Sequence, residues 1–207
     1  PYQYTSKQIA LNPAWVALIE ILKRLEEQPY HWPVGRTIFQ KIAYVATRND
    51  LPTGFIYQKG SFGPFSGELK NAQTKLVNNN LLQEERVGKW FIIKTGPNYA
   101  RVRKDFEPSL SQWEAIIEKT TDLFMRINTE QAEIVATVLF TADDLKKTRH
   151  SIPTEMEVLD AVMEWKQKRR PSLDRLAVAS AIRNLGMLRW LDVKPDTSLP
   201  VPDEELP

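Results

Sequence analysis

Cysteine is absent from this chain, which removes disulfides, thiolate metal sites and thiol nucleophiles together and fits a reducing compartment. Histidine is almost absent: His31 and His150 are the whole supply, each alone in a proline-rich or loop context, so no metal centre with workable ligand spacing assembles around them. The eight glycines show none of the spacings required by a phosphate loop, a dinucleotide fingerprint or a nucleophile elbow. No apolar run approaches the roughly 20 residues needed to cross a bilayer, and no signal-type segment opens the chain. The adjacent carboxylates Asp143-Asp144 and Glu84-Glu85 diverge on a helix or strand and read as solvated surface. These absences leave no catalytic residue, cofactor or metal ligand to name. The expectation is a cytoplasmic binding module rather than an enzyme.

What is present is ordinary for a folded protein. The 207 residues are 42% hydrophobic and 26% charged, far from the disordered regime and enough for one large domain or two small ones. The formal charge of +2 is unevenly placed, because the last twelve residues hold Asp196, Asp203, Glu204 and Glu205 and no basic residue. The body before them is mildly basic, which bears on association more than identity. The first residue is Pro1, not Met, so a piece of a longer protein is expected.

Along the chain, Asn12-Pro13 is an N-cap followed by proline at the first helical position, and Trp15, Leu18, Ile19, Leu22 and Leu25 recur at helical spacing. A second helix carries Ile38, Phe39, Ile42, Ala43 and Ala46, and residues 49–66 read as a structured loop rich in aromatics, glycine and proline. Ser66 opens a third helix that ends near Asn80, in left-handed conformation. Leu82 to Val87 and Trp90 to Thr95 then read as strands around a Gly88-Lys89 turn. Helix, helix, hairpin is the order of a winged-helix unit.

Residues 97–108 read as a linker. Beyond it, helices are expected from Ser109, from Thr129, from Thr154 with Glu157 as a capping box, and from Ser172 to Gly186, followed by a strand-like run from Met187 to Val193. Leu76, Asn78, Asn80 and Leu82 match Ile182, Asn184, Gly186 and Leu188 at equal spacing; a repeated module and shared helix-end chemistry both account for the match. The fold expected is mainly α with short β-hairpins, as two winged-helix-like modules. The divisions are a first module over 1–96, the linker 97–108, a second over 109–195, and a flexible acidic tail over 196–207.

The densest signal is Gly35-Arg36-Thr37-Ile38-Phe39-Gln40-Lys41-Ile42-Ala43-Tyr44, followed by Gly60-Ser61-Phe62-Gly63-Pro64-Phe65-Ser66-Gly67-Glu68-Leu69. Thr37 reads as a helix cap, Gln40 and Lys41 as its polar side, and Gly63-Pro64 as a tight turn delivering Phe65 and Ser66 to the next helix. The pairing resembles the C-terminal domain of DarG-type antitoxins and, more distantly, antitoxin domains of the Panacea type. The likeness is closest over residues 35–95; residues 109–193 agree only in length and helical character. The resemblance implies binding to a DarT-like toxin, a DNA ADP-ribosyltransferase, with the domain taking the place of single-stranded DNA in its active site. It also implies an upstream macrodomain that removes ADP-ribose from DNA, none of whose glycine-rich loops is present here.

Two readings of the motif pair stay open: a scaffold that maintains the fold, or a frame for a partner surface. In the second, Tyr57, Phe62 and Phe65, with Lys59 and Glu68 beside them, form the contact. Acidic substitutes for phosphate are Glu68, Glu84, Glu85 or the tail from Asp203 to Glu205. The expected assembly is a monomer alone and a heterodimer with the toxin. The competing expectation is a DNA-binding winged-helix regulator using Lys89, Lys94, Arg101, Arg103 and Lys104.

Overall fold

A helix buried around most of its circumference lies at the centre of a core, and in the first helix, α1 (Pro13–Glu26), the run from Val16 to Leu22 is buried on every side. The computed structural model describes residues 10–201. In it Asn12 caps α1, its Oδ1 accepting the Ala14 N–H at 2.9 Å. Val16, Ala17, Leu18, Ile19, Ile21 and Leu22 are all fully buried. After α1 come α2 (Arg36–Arg48), a hairpin of β1 (Gln58–Gly60) and β2 (Gly63–Phe65), α3 (Gly67–Asn78), and a hairpin of β3 (Leu82–Val87) and β4 (Trp90–Thr95). Then follow α4 (Tyr99–Val102), a 3₁₀ turn (Arg103–Phe106), α5 (Glu107–Gln112), α6 (Glu114–Met125), α7 (Thr129–Arg149), α8 (Glu155–Trp165) and α9 (Arg175–Met187). The protein is mainly helical with two small antiparallel two-stranded sheets.

The chain forms two compact units, and their boundaries do not follow the order of the sequence. The first takes the described residues up to Ile56 and Ser66–Arg126; the second takes Tyr57–Phe65 and the described residues from Ile127 on.

In the first unit, α1 packs against α2, α5, α6 and β4. β3 and β4 pair in the expected register, Val87 opposite Trp90 across Gly88-Lys89, with a positive φ of 62° at Gly88. A third short segment joins this sheet: Gly35 bridges Ile92, and the Ile93 N–H donates to Val34 O at 2.7 Å. Thr37 does not cap α2; the N-cap is Gly35, without a side-chain bond. Lys41, expected on the polar side, is only 2% exposed.

The expected linker over 97–108 is helical instead, because its side chains bury charge against α1. Tyr99, fully buried, donates its phenol hydrogen to Glu20 Oε2. Arg103 reaches both oxygens of Glu20, at 2.9 and 3.2 Å, and Arg24 reaches Glu20 at 3.3 Å and Glu114 at 2.6 Å. Burial pushes the Glu20 carboxyl up, but hydrogen bonds from Arg103 and Tyr99 and the charges of Arg103 and Arg24 outweigh it and leave it below the ordinary range.

In the second unit, α7, α8 and α9 pack on one another and β2 packs on α7. Asn128 and Gln131 form a capping box on α7, and Thr154 and Glu157 form the expected one on α8. The cap of α9 is Asp174 rather than Ser172. The strand expected over 187–193 does not form: Met187 still belongs to α9, Arg189 turns the chain with φ 59°, and Trp190 and Leu191 after it are buried. Thr154 and Lys194 make a single parallel bridge. This unit therefore lacks the terminal hairpin expected of a second winged-helix-like module among the described residues.

The expected match between the halves is helix-end chemistry. Asp50, Asn80 and Arg189 all take left-handed φ, and the next residue's N–H returns to the helix in each case: Leu51 to Ala46 O, Leu81 to Leu76 O and Trp190 to Leu185 O. Gly186, aligned with Asn80 in the sequence, lies inside α9.

The tail's described part is tied down, not free. Asp196 N–H donates to Glu155 Oε2 at 2.8 Å, Arg183 holds Glu155 at 2.7 and 2.9 Å, and Leu199 is buried. Asp203, Glu204 and Glu205 lie outside the described residues. No described helix is long and apolar enough to cross a membrane.

Candidate partner-binding site

The two motif segments meet at one side chain. The Gln40 amide donates from Nε2 to Ser66 O at 2.9 Å and accepts the Ser66 N–H on Oε1 at 3.1 Å. Ser66 is buried, so its two backbone polar groups need partners, and a primary amide satisfies both. Ser66 is the N-cap of α3, but its hydroxyl does not cap the backbone; it donates to Glu68 Oε2 at 2.7 Å. That bond, with backbone N–H donors, holds the Glu68 carboxyl below its ordinary value while the residue stays exposed.

Tyr57, Lys59, Phe62 and Phe65 lie on or beside the β1–β2 hairpin of the second unit. Gln58 pairs with Phe65, Lys59 with Pro64 and Gly60 with Gly63, leaving Ser61 and Phe62 as the turn. Gly63 takes φ 96°, a conformation that glycine adopts without a Cβ penalty. At Gly60 an added Cβ would lie 2.9 Å from Gly63 O and 3.1 Å from Phe65 Cβ, so the absent side chain lets Phe65 cover the strand. Phe62 is 60% exposed at the turn and Phe65 40%. Tyr57 is half-buried, which leaves the two phenylalanines as the exposed aromatic pair of the hairpin. Lys59 has its ammonium 5.4 Å from the Trp165 ring centroid and 3.8 Å from Asp144.

The hairpin turn is held from beneath by charges that sequence reasoning missed. Lys166 is 4% exposed; its ammonium donates to Ser61 O at 2.8 Å and to Glu133 Oε1 at 3.0 Å. Arg169 chelates the same carboxylate at 3.0 Å on each oxygen. Burial pushes the Lys166 ammonium down, against the pull of Glu133. In the sequence, Lys166 to Arg170 reads as a basic helix end. A lysine at the close of an apolar-faced helix, with a glutamate in the first turns of α7, is the only signal pointing to this pair.

Of the other acidic positions named above, Glu84 is taken by Arg36 and Gln73 and Glu85 by Lys94. Among the described residues no group of three or more His, Cys, Asp or Glu is placed to hold a metal ion. No protein-family model matches the chain, and no curated protein matches it.

Proposed function

We propose that this chain is an antitoxin domain that binds a DarT-like DNA ADP-ribosyltransferase and fills its nucleic-acid groove in place of single-stranded DNA. The observation that carries the reading is the Gln40–Ser66 clamp. It gives the paired motif a shared physical purpose, fixing the chain immediately after a hairpin that exposes Phe62 and Phe65. Rigid exposed aromatics suit a groove that otherwise stacks bases, because each presents a large apolar face with little conformational entropy to lose. Glu68, exposed and held ionised beside them in sequence, is the carboxylate that the reading assigns to a phosphate position. A monomer that forms a 1:1 cytoplasmic complex with the toxin belongs to the same reading, as does a winged-helix identity for the first unit.

Mixing the chain with a purified DarT-like toxin, NAD and a single-stranded oligonucleotide tests the proposal. Modification of the DNA is expected to stop at excess chain with no hydrolase present. Undiminished modification at saturating chain contradicts the proposal.

The helix-bridge-helix-helix-hairpin order of the first unit favours one second reading, a duplex-binding regulator. Two of its five candidate cations are engaged, Lys94 with Glu85 and Arg103 with Glu20 and Glu107. A duplex gel shift at moderate salt separates the two readings, and an absent shift removes the regulator.

A further inference from the structure

Trp90 stands 78% exposed at the tip of the β3–β4 hairpin, opposite the half-exposed Val87. Trp90 and Val87 together present an exposed apolar surface at the tip. Lys89 in the turn and Arg86 near the end of β3 are both exposed and have no carboxylate partner among the described residues; Arg86 Nε donates to Gly88 O at 3.1 Å. Lower on the hairpin the charges cancel, Arg36 with Glu84 and Lys94 with Glu85. The tip is thus the part of the hairpin that carries uncompensated positive charge: Lys89 adjoins Trp90 in the turn, and Arg86, opposite Phe91 on the other face, reaches the turn at Gly88 O.

Strand alternation puts Trp90, Ile92 and Lys94 on one face of β4. That face continues into a shallow groove lined by Ile92, Lys94, Gln83, His31 and Pro33. The groove also carries negative charge: Glu26, whose Oε1 accepts the Thr95 N–H at 2.7 Å, and beside it Glu85, opposite Ile92 and paired with Lys94, so the positive charge of this surface is at the tip. Trp32, 60% exposed, lies in sequence between the lining residues His31 and Pro33, and Tyr30 is exposed just before it. From Trp90 to Lys94 the strand runs about 14 Å, the reach of two to three extended nucleotides.

We infer that the β3–β4 tip and this groove bind single-stranded nucleic acid, one base stacking on Trp90 while Arg86 and Lys89 meet the flanking phosphates. An exposed aromatic at a tip that carries unpaired cations matches the chemistry of a base and its phosphates. A second copy of the chain matches it poorly, since two tips bearing Arg86 and Lys89 repel each other. The inference is independent of toxin binding and uses a surface in the first unit, distinct from Phe62 and Phe65.

The test is fluorescence anisotropy of a labelled oligothymidylate of about 12 nucleotides titrated with the chain, alongside the toxin-inhibition assay. Binding is expected at low salt and should weaken as salt rises. Trp90→Ala is expected to reduce affinity about tenfold or more, and Arg86→Ala with Lys89→Ala to flatten the salt dependence, with circular dichroism unchanged because all three side chains are exposed. No binding at low salt, or equal affinity for Trp90→Ala, overturns the inference. So does a Trp90→Ala variant that loses toxin inhibition while keeping oligonucleotide affinity, which would assign the surface to a protein partner.

Discussion

The side-chain amide of Gln40 and the backbone of Ser66, 26 positions apart, hold each other by two hydrogen bonds of opposite sense. Replacing Gln40 by Ala leaves a buried N–H and a buried C=O without partners, and each such group costs about 1–3 kcal/mol. Gln40→Ala is therefore expected to lower stability by about 2–4 kcal/mol. Gln40→Glu should be only partly tolerated, because a carboxylate accepts the Ser66 N–H but cannot donate to its carbonyl. Urea denaturation measures both; an unchanged midpoint for Gln40→Ala contradicts this role.

Gly96 and Gly88 separate two reasons for glycine. At Gly96 a Cβ would lie 2.2 Å from Asn80 O, where the chain crosses the end of α3 and donates its N–H to Leu81 O at 2.8 Å. Gly96→Ala is expected to cost more than about 3 kcal/mol, since backbone must move. Gly88 has open space around it and only its positive φ of 62° to satisfy, so Gly88→Ala should cost about 1 kcal/mol. Equal thermal shifts for the two variants would contradict the distinction.

The buried Glu20 predicts an acid-sensitive first unit. Its folded carboxyl lies below the ordinary value of 4.5, so the unfolded chain takes up the proton more readily. The associated stability is present above about pH 4.5 and is lost as pH falls through the lower folded value. At the alkaline end, burial and the hydrogen bond to Glu20 hold the Tyr99 phenol above its ordinary 10.0. The unfolded chain ionises first there, and stability falls as pH rises past that point. Glu20→Gln should cost about 2 kcal/mol at neutral pH, a figure discounted for the partial exposure of Arg103. It should also flatten the acid limb of a denaturation-versus-pH series. A series with the same slope in both proteins contradicts the assignment.

Local signals in the sequence carried through where the chemistry is local. Asn12-Pro13 starts α1, Thr154 with Glu157 starts α8, and Gly88-Lys89 sets the β3–β4 register residue for residue. What was not legible depends on distant partners. Lys41, expected on the polar side of its helix, is buried, and so are Lys166, Glu20 and Glu133, whose burial nothing local signals; Lys166 and Glu20 meet groups 33 to 105 residues away. The stretch 97–108 read as linker because Tyr99 and Arg103 gain their helix only once Glu20 is there to meet them. Membership of Tyr57–Phe65 in the second unit has no local signature. Of the candidate site, Phe62 and Phe65 were readable from the turn chemistry of Gly63-Pro64, whereas the Lys166 support beneath Ser61 was not.

That support gives a variant that links packing to function. Lys166→Met removes the donor to Ser61 O and leaves Glu133 with Arg169 as its counter-ion. The second unit should stay folded while the hairpin loosens, seen as faster amide exchange over residues 58–65. Toxin inhibition should weaken with it, by about tenfold. Faster exchange with full inhibition would separate the hairpin from toxin binding.

The most direct test of the account is the kinetic pattern of toxin inhibition with single-stranded DNA as the varied substrate. If the chain fills the groove that DNA enters, the apparent KM for DNA rises with chain concentration while kcat stays fixed, and Phe62→Ala with Phe65→Ala shifts the half-inhibiting concentration up by about tenfold or more. A fall in kcat at constant KM, or equal inhibition by the double variant, contradicts it.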